Sequence, residues 1–254
     1  MKHKILFIIG FLSMIFAGCE SFLDKPPLDQ MTEDTYFTNE ENLRTFSYGF
    51  YERDFDAYGS GYTWGSYFVG QSLNDEFAPT TPTAFLKTVP TSASGTVWNF
   101  TYVRKANLMI ENIRTTPISD EAKKHWTGIA RFFRALEYAR LISTYGDVPW
   151  INKVPLEDDN EVLYRPRDPR AMVVDSMLAD FDYAALNVRA ADGTKGLSVN
   201  KYVVLAFMSR VMLYEGTMFK YHAIDPAKAT TYLGKAKWAA NEVITKGGYT
   251  LHTN

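Results

Sequence analysis

The sequence predicts a mostly α-helical fold: tetratricopeptide-like antiparallel helix pairs with long irregular loops and few short strands. Beyond residue 97, apolar residues recur at the i, i+3, i+4, i+7 spacing of helices that bury one face. Strand-type patterns are confined to residues 148–154 and the tail from Tyr249. The helix pairs recur at about the 34-residue period of tetratricopeptide motifs, without their strict consensus. A generic helical domain accounts for the spacing alone equally well.

Composition restricts the class of protein further. The chain has 254 residues, of which 46% are hydrophobic and 22% charged, and this suits a globular protein with a sizeable core. The formal net charge is −2 and no basic run occurs, so a nucleic-acid partner is not expected.

The first 18 residues have the layout of a secretory signal peptide. Lys2 and Lys4 precede a 12-residue apolar run, residues 5–16, which is too short to span a hydrocarbon core of ~30 Å. Ala17 and Gly18 then lead directly to Cys19, the single cysteine. This arrangement resembles a bacterial lipobox and predicts lipidation of Cys19, although Phe16 replaces the usual leucine. The alternative is an ordinary secreted protein with a chance cysteine.

The next elements are a tether, a first helix and an aromatic stretch. Residues 19–36 contain two consecutive prolines and are predicted to be an extended, lipid-anchored tether. Thr38 and Glu41 form a capping box that opens the first helix of a helical domain, residues 37–254. Between Tyr36 and Tyr102 there are 17 aromatic residues in 67, many of them in the glycine-, threonine- and proline-rich region 57–95. A connection of that length is usually functional or disordered, and its rings favour function.

The remaining helices follow from capping signals. A helix over residues 97–113 would carry Trp98 into the core, and Ser119 caps a helix that stops near Tyr145. Asp168 and Asp225, each followed by proline, supply an N-cap and a first-turn proline for two more. Either Ser198 or Asn200 opens the helix between them.

Residues 131–149 are predicted to form a structural corner, a role preferred to ligand binding. In this interpretation the Arg134 guanidinium contacts a carboxylate such as Asp147, and Gly146 permits a left-handed helix end. Tyr145 precedes Gly146 at this helix end, and Pro149 then fixes the direction in which the chain leaves the corner.

No catalytic, metal or cofactor site is predicted. The HExxH, CxxC, GxSxG and P-loop patterns do not occur. His125 and His222 are isolated and are interpreted as surface residues. The acidic run 157–159 is interpreted as a solvated loop, since adjacency does not provide the separation that two glycosidase carboxylates need.

Several segments, taken in order, resemble the SusD/RagB family of nutrient-binding outer-membrane lipoproteins. They are the start CESFLDKPP at Cys19, TEDTYFTNEENL at residues 32–43, a tryptophan–tyrosine–alanine–asparagine helix at residues 98–107, and RFFRALEY followed by YGDVP within residues 131–149. The resemblance extends over the whole chain from Cys19. Family members are typically about twice as long, so the chain is expected to be their N-terminal half, as a fragment or a truncated gene.

The resemblance implies a non-enzymatic lipoprotein anchored in the outer membrane and facing the cell surface. It would bind an oligosaccharide or polysaccharide and deliver it to a SusC-like TonB-dependent transporter. The alternative is an assembly adaptor that grips a protein partner through its helical repeats and has no glycan affinity of its own. The sequence does not identify the ligand, the membrane face or the oligomeric state.

The residues predicted to bind the glycan lie in the aromatic region. Exposed ring faces there would pack on sugar C–H groups while a carboxylate accepts hydroxyl protons. These five residues are Tyr62, Trp64, Tyr67, Asp75 and Phe85. For each ring, packing in the core between the loop and the scaffold is the other interpretation.

Overall fold

The computed structural model describes residues 36–55, 98–193 and 196–250. The chain divides into two compact units, residues 1–38 and 39–254. Of the first, only residues 36–38 are described, where the Thr38 N–H donates to the Tyr36 carbonyl. All the described helices belong to the second unit.

The described part of the second unit is mostly helical, as predicted. Its eight helices are α1 (Glu40–Tyr48), α2 (Tyr51–Asp54), α3 (Thr101–Ile113), α4 (Asp120–Tyr145), α5 (Asn160–Leu163), α6 (Arg170–Asn187), α7 (Lys201–Tyr221) and α8 (Pro226–Lys246). In place of the strand predicted at residues 148–154, the described residues contain one isolated antiparallel bridge, between Val148 and Asp168.

The long helices pack in the order in which they follow one another. α3 packs on α4, α4 on α6, α6 on α7, and α7 on α8, while α1 also rests on α4. This nearest-neighbour arrangement is that of stacked helical repeats. The α7–α8 contact is very close, because a Cβ on Gly216 would lie only 2.7 Å from Leu233 Cγ.

Two of the predicted helix starts are confirmed. The Ser119 hydroxyl accepts the Ala122 N–H at the start of α4, and Asp225 caps α8 with Pro226 in its first turn. Of the two candidates at the start of α7, Asn200 is the cap.

Three other predicted starts are wrong. Asn39, not Thr38, caps α1, since its side chain accepts the Asn42 N–H at 2.9 Å. α3 begins at Thr101 instead of residue 97, after a turn in which Asn99 accepts the Thr101 N–H. α6 begins at Arg170, with Pro169 at the N-cap position, because the predicted cap Asp168 bonds elsewhere.

The centre of the core is α4, of whose 26 residues 15 are buried. Phe133 stacks on Phe50 with ring centroids 4.6 Å apart and also contacts the rings of Tyr51 and Phe55. These contacts attach α1 and α2 to the middle of α4. One of them is made by Phe55, the last described residue before the aromatic region.

No helix in the described ranges is long and apolar enough to cross a bilayer.

Candidate functional site

A surface cleft of about 670 Å³ opens where the start of α3, the segment after α4 and the short helix α5 meet. Its twelve lining residues come from three stretches of chain that are distant in sequence. They are Trp98, Asn99, Phe100, Thr101, Val103, Arg104, Pro149, Ile151, Pro155, Val162, Leu163 and Arg165.

Two aromatic rings form one wall of the cleft. Trp98 is half-buried and stands edge-on to Phe100 and to Tyr145, with ring centroids 5.5 Å and 5.0 Å away. The Arg167 guanidinium lies 4.8 Å from the centroid of the Trp98 ring, while Arg167 does not itself line the cleft. Tyr145 and Arg167 therefore hold the indole from outside the cleft, and the rest of the indole surface borders the open space.

The floor of the cleft is fixed by a buried tyrosine of α4. The Tyr138 hydroxyl accepts the Ile151 N–H at 2.6 Å and donates to the Pro149 carbonyl at 3.1 Å. Burial raises the pKa of Tyr138 far above its ordinary value, so the hydroxyl stays neutral and keeps the proton that it donates. The Tyr138 ring also packs on Trp150 at 4.2 Å. Residues 149–151 therefore have a defined position relative to α4.

The predicted partner of Arg134 is wrong. Arg134 forms a two-pronged ion pair with Asp180 of α6, at 2.7 and 2.8 Å, and not with Asp147. The reason is the direction of the side chain: Arg134 lies on the buried face of α4 toward α6, whereas Asp147 lies beyond the end of α4 and is exposed. The Asp147 carboxylate instead accepts the Arg170 N–H at the start of α6.

Arg134 also connects this buried ion pair to the edge of the cleft. Its Nη1 donates to the Asn107 side-chain oxygen at 2.7 Å, and the Asn107 amide nitrogen donates to the carbonyls of Ile151 and Lys153, both at 3.0 Å. The position of the 151–153 segment therefore depends on a polar chain that starts at the contact between α4 and α6.

The other predicted corner residues lie beside the cleft. Gly146 has φ +73° and ψ −104°, so the predicted left-handed helix end is wrong in ψ, although the positive φ is one that favours glycine; its N–H donates to the Ile142 carbonyl. Tyr145 packs on Trp98, and Pro149 both lines the cleft and accepts the Tyr138 hydroxyl.

A second polar cluster lies at the end of α2. The Asp54 and Glu137 side chains are only 1% and 2% exposed, and Arg53 and Arg140 are their cationic partners. Arg140 donates to Asp54 at 3.2 Å, but the other carboxylate oxygen of Asp54 has no hydrogen-bond partner. Burial and the neighbouring Glu137 carboxylate raise the pKa of Asp54 from 3.8 to about 7.

The pKa of Asp54 predicts an unusual pH dependence of stability. Between about pH 4 and about pH 7 the folded protein keeps a proton that the unfolded chain has released, so the free energy of unfolding falls as pH rises. The variant Asp54→Asn lacks this loss. We expect its stability relative to the wild type to increase from about pH 5 to about pH 8, measured by urea denaturation at both pH values.

The matched control is Asp158→Asn, a change at an exposed carboxyl that should shift stability equally at the two pH values. An Asp54→Asn difference that is the same at both would contradict the prediction.

The predicted site residues fall partly outside the described residues. Cys19 and the five predicted glycan-binding residues, Tyr62, Trp64, Tyr67, Asp75 and Phe85, all do so. The expectation that Trp98 lies on a helix in the core is wrong, because it precedes α3 and lines the cleft.

One histidine was also assigned wrongly. His125 is fully buried, and its Nδ1 accepts the Arg189 N–H. Burial and the charge of Arg189 lower the pKa of His125 to about 4, so it is a neutral structural residue. His222 is exposed, as expected, and so are Glu157 and Asp158 of the acidic loop. Among the described residues, no group of histidine, cysteine and carboxylate side chains is arranged to hold a metal.

Sequence reasoning missed the cleft itself. Phe100, Arg104, Leu163 and Arg165 were not singled out, because nothing local in the sequence shows that the start of α3 meets residues 149–165. The available signal in the sequence was the alternation of aromatic and polar residues, Trp98-Asn99-Phe100-Thr101, at the end of the aromatic stretch.

The fold and the cleft define a helical-repeat protein with an aromatic-walled surface site. A family model described as starch-binding, associating with the outer membrane, matches residues 21–213. This is well over half of the 254 residues, and the chain therefore belongs to the SusD-like family.

Individual relatives agree with this assignment. A SusD-like protein from Bacteroides ovatus is 28% identical over the whole chain, which covers 46% of that protein. A SusD-like protein from Formosa agariphila is 24% identical over 73% of the chain and 38% of its own length. The chain thus spans less than half the length of these relatives.

A solved structure shows the same fold. A SusD-like carbohydrate-binding protein from Bacteroides fragilis superposes with a TM-score of 0.63 at 19% identity, covering 87% of this chain and 43% of that one.

Proposed function

We propose that this protein is a non-enzymatic surface lipoprotein that binds an oligosaccharide or polysaccharide. The observation that carries the proposal is the cleft of about 670 Å³ with Trp98 and Phe100 in its wall. Flat, weakly polar ring faces suit the C–H faces of sugars, and the exposed Asn99 and Thr101 offer hydrogen bonds to hydroxyls. Membership of a family described as starch-binding supports the same ligand class.

The affinity of such a site is expected to be modest. Each neutral hydrogen bond contributes only about 0.5–1.5 kcal/mol, because it replaces hydrogen bonds to water. We propose that Tyr62, Trp64, Tyr67, Asp75 and Phe85 extend the binding surface. They precede Trp98 in the same aromatic stretch, with Phe85 13 positions and Tyr62 36 positions before it.

Anchoring and delivery form the second half of the proposal. The signal-like residues 1–18 and the lipobox-like Cys19 support a lipid anchor, followed by the tether 19–36. The family description supports association with the outer membrane. We propose that the bound glycan passes to a SusC-like TonB-dependent transporter at the cell surface and that no cofactor takes part.

The test is affinity electrophoresis of the detergent-solubilised protein through gels that contain a panel of polysaccharides. We expect one polysaccharide to retard the wild type and Trp98→Ala to weaken that interaction by about tenfold, the equivalent of ~1.4 kcal/mol. The matched control is Trp238→Ala, which removes an exposed tryptophan of α8 far along the chain and should migrate like the wild type. Circular dichroism verifies that all three proteins are equally helical.

Unchanged retardation of a folded Trp98→Ala variant would contradict the assigned site. A folded wild type that no polysaccharide retards would favour the adaptor alternative. That alternative has one observation of its own: α8 exposes Trp238 and Ile244 beside a groove of about 620 Å³. A protein partner would then co-purify with the wild type and with Trp98→Ala, but not with Trp238→Ala.

A further inference from the structure

The charge of the cleft differs from that of the whole protein. The chain has a net charge of −2, yet the two charged residues among the described lining are both arginines, Arg104 and Arg165. Arg167 adds a third guanidinium over Trp98 at the cleft border. The helix α3 also begins at the cleft, with no acidic residue in its first turn. Its positive dipole end is therefore not offset by a nearby carboxylate.

Elsewhere in the helical scaffold, the charges of the arginine side chains are mostly neutralised by carboxylates. In the described residues, most arginines that face a neighbouring element are in ion pairs with a carboxylate. These are Arg44, Arg53, Arg134, Arg140, Arg165, Arg170 and Arg189. A packed scaffold needs such pairs, because an isolated buried charge is costly.

Arg104 is different from those arginines. It is exposed in the first turn of α3, it lines the cleft, and no carboxylate in the described part of the chain pairs with it. Arg165 is held by Asp168 at 2.9 Å and by the Trp150 carbonyl at 2.9 Å, so its role is to fix the cleft edge. The uncompensated charge of the cleft is therefore that of Arg104, reinforced by Arg167.

We propose that this cleft selects anionic saccharides, in which a sugar ring packs on Trp98 and Phe100 while its carboxylate or sulfate group binds Arg104. The inference rests on the proposed function and names the ligand class of the same site. A guanidinium matches the planar fork of a carboxylate and two oxygens of a sulfate, with charge-assisted hydrogen bonds that a neutral sugar cannot form. A neutral glycan would leave Arg104 without a partner in the cleft.

The experiment uses the full chain in detergent and two sets of polysaccharide gels. The acidic set contains polygalacturonate, alginate, chondroitin sulfate and carrageenan, and the neutral set contains starch, laminarin, xyloglucan and xylan. We expect retardation by a member of the acidic set and by no neutral one. Arg104→Gln should weaken that retardation about tenfold, and raising the salt from about 50 mM to about 0.3 M should weaken it in the wild type.

The matched control is Arg114→Gln, at the opposite end of the same helix and outside the cleft lining. It changes the net charge equally, and its retardation by the polysaccharide, relative to its own mobility in a polysaccharide-free gel, should equal that of the wild type. Retardation by polygalacturonate or alginate indicates a carboxylate ligand and retardation by carrageenan a sulfate ligand, whereas chondroitin sulfate carries both groups.

The possible results separate the two proposals. Retardation only by a neutral polysaccharide, unchanged in Arg104→Gln, would overturn the anionic ligand class and leave glycan binding intact. Equal weakening by Arg104→Gln and Arg114→Gln would also overturn it, because the effect would then come from net charge and not from the cleft. Retardation by no polysaccharide of either set would overturn glycan binding itself.

Discussion

Replacement of Arg134 by methionine is expected to lower the free energy of unfolding by about 3–5 kcal/mol. The change leaves the Asp180 carboxylate, whose side chain is 4% exposed, without the guanidinium that binds both of its oxygens. Breaking one partner of a buried ion pair is costly, since the remaining charge is uncompensated. Asn107 also loses its donor, and with it the cleft edge at Ile151 loses part of its support.

The size of this loss should depend on pH. Burial already raises the pKa of Asp180, and removing Arg134 takes away the charge that opposes the rise. At low pH the folded variant can hold Asp180 in its neutral, protonated form. At high pH it must either hold the unpaired carboxylate anion or keep a proton that the unfolded chain releases, and both lower the free energy of unfolding. We expect the destabilisation to be larger at about pH 8 than at about pH 5, measured by urea denaturation.

Two further variants make the result specific. Arg114→Met removes an exposed arginine and should change stability by no more than about 0.5 kcal/mol. The double variant Arg134→Met, Asp180→Leu should recover much of the lost stability, because apolar replacements of both partners remove the unpaired charge. An Arg134→Met protein within about 1 kcal/mol of the wild type at both pH values would refute the assigned role.

Replacement of Phe133 by alanine is expected to cost a similar amount, about 3–5 kcal/mol. Phe133 is fully buried in the middle of α4, stacks on Phe50 and contacts the rings of Tyr51 and Phe55. Truncation removes these contacts and opens a cavity that the long helices around α4 cannot close without losing their own packing.

The comparison variant is Tyr221→Ala, whose aromatic side chain is 76% exposed and should contribute no more than about 0.5 kcal/mol. Urea denaturation measures both. If Phe133→Ala and Tyr221→Ala unfolded at the same urea concentration, Phe133 would not be the residue that attaches α1 and α2 to the scaffold.

Local signals predicted much of the fold, and distant contacts account for the errors. Ser119 and Asp225 cap helices through bonds to residues two or three positions later, which a short sequence window contains. Asp168 has the same local pattern, but its carboxylate bonds to the Trp150 N–H, 18 positions earlier. A cap was therefore predicted where tertiary structure uses the side chain differently.

The pairing of Arg134 was missed for the same reason. Asp147 is closer in sequence, but Asp180 is the residue that α6 brings against the same face of α4. The prediction that His125 lies on the surface failed for a related reason. Because α4 is buried on most sides, the hydrophobic periodicity of its sequence does not show whether a polar residue on it is exposed.

The cleft was the least predictable feature. A start of α3 predicted four residues too early placed Trp98 on the helix, although the Asn99 turn leaves it in front of α3 and at the cleft. Arg104 has an ordinary position on a helix, and its role follows only from the meeting of α3 with residues 149–165. The resemblance to a family predicted a glycan ligand, but the positive charge of the cleft could not be predicted without knowing which segments of the chain meet there.

The aromatic contacts on α4 have a consequence for how this scaffold can change over evolution. Phe55 and Trp98 are the described residues on either side of the segment 56–97, and their rings pack on Phe133 and Tyr145 of the same helix, α4. These two attachment points are twelve residues apart on α4, about 18 Å at the helical rise. Doubling the length of a connection between fixed ends costs only about 0.6 kcal/mol. Insertions or deletions between these two fixed ends are therefore expected to change the stability of the helices little, so this connection can vary in length while the helices keep their own sequence.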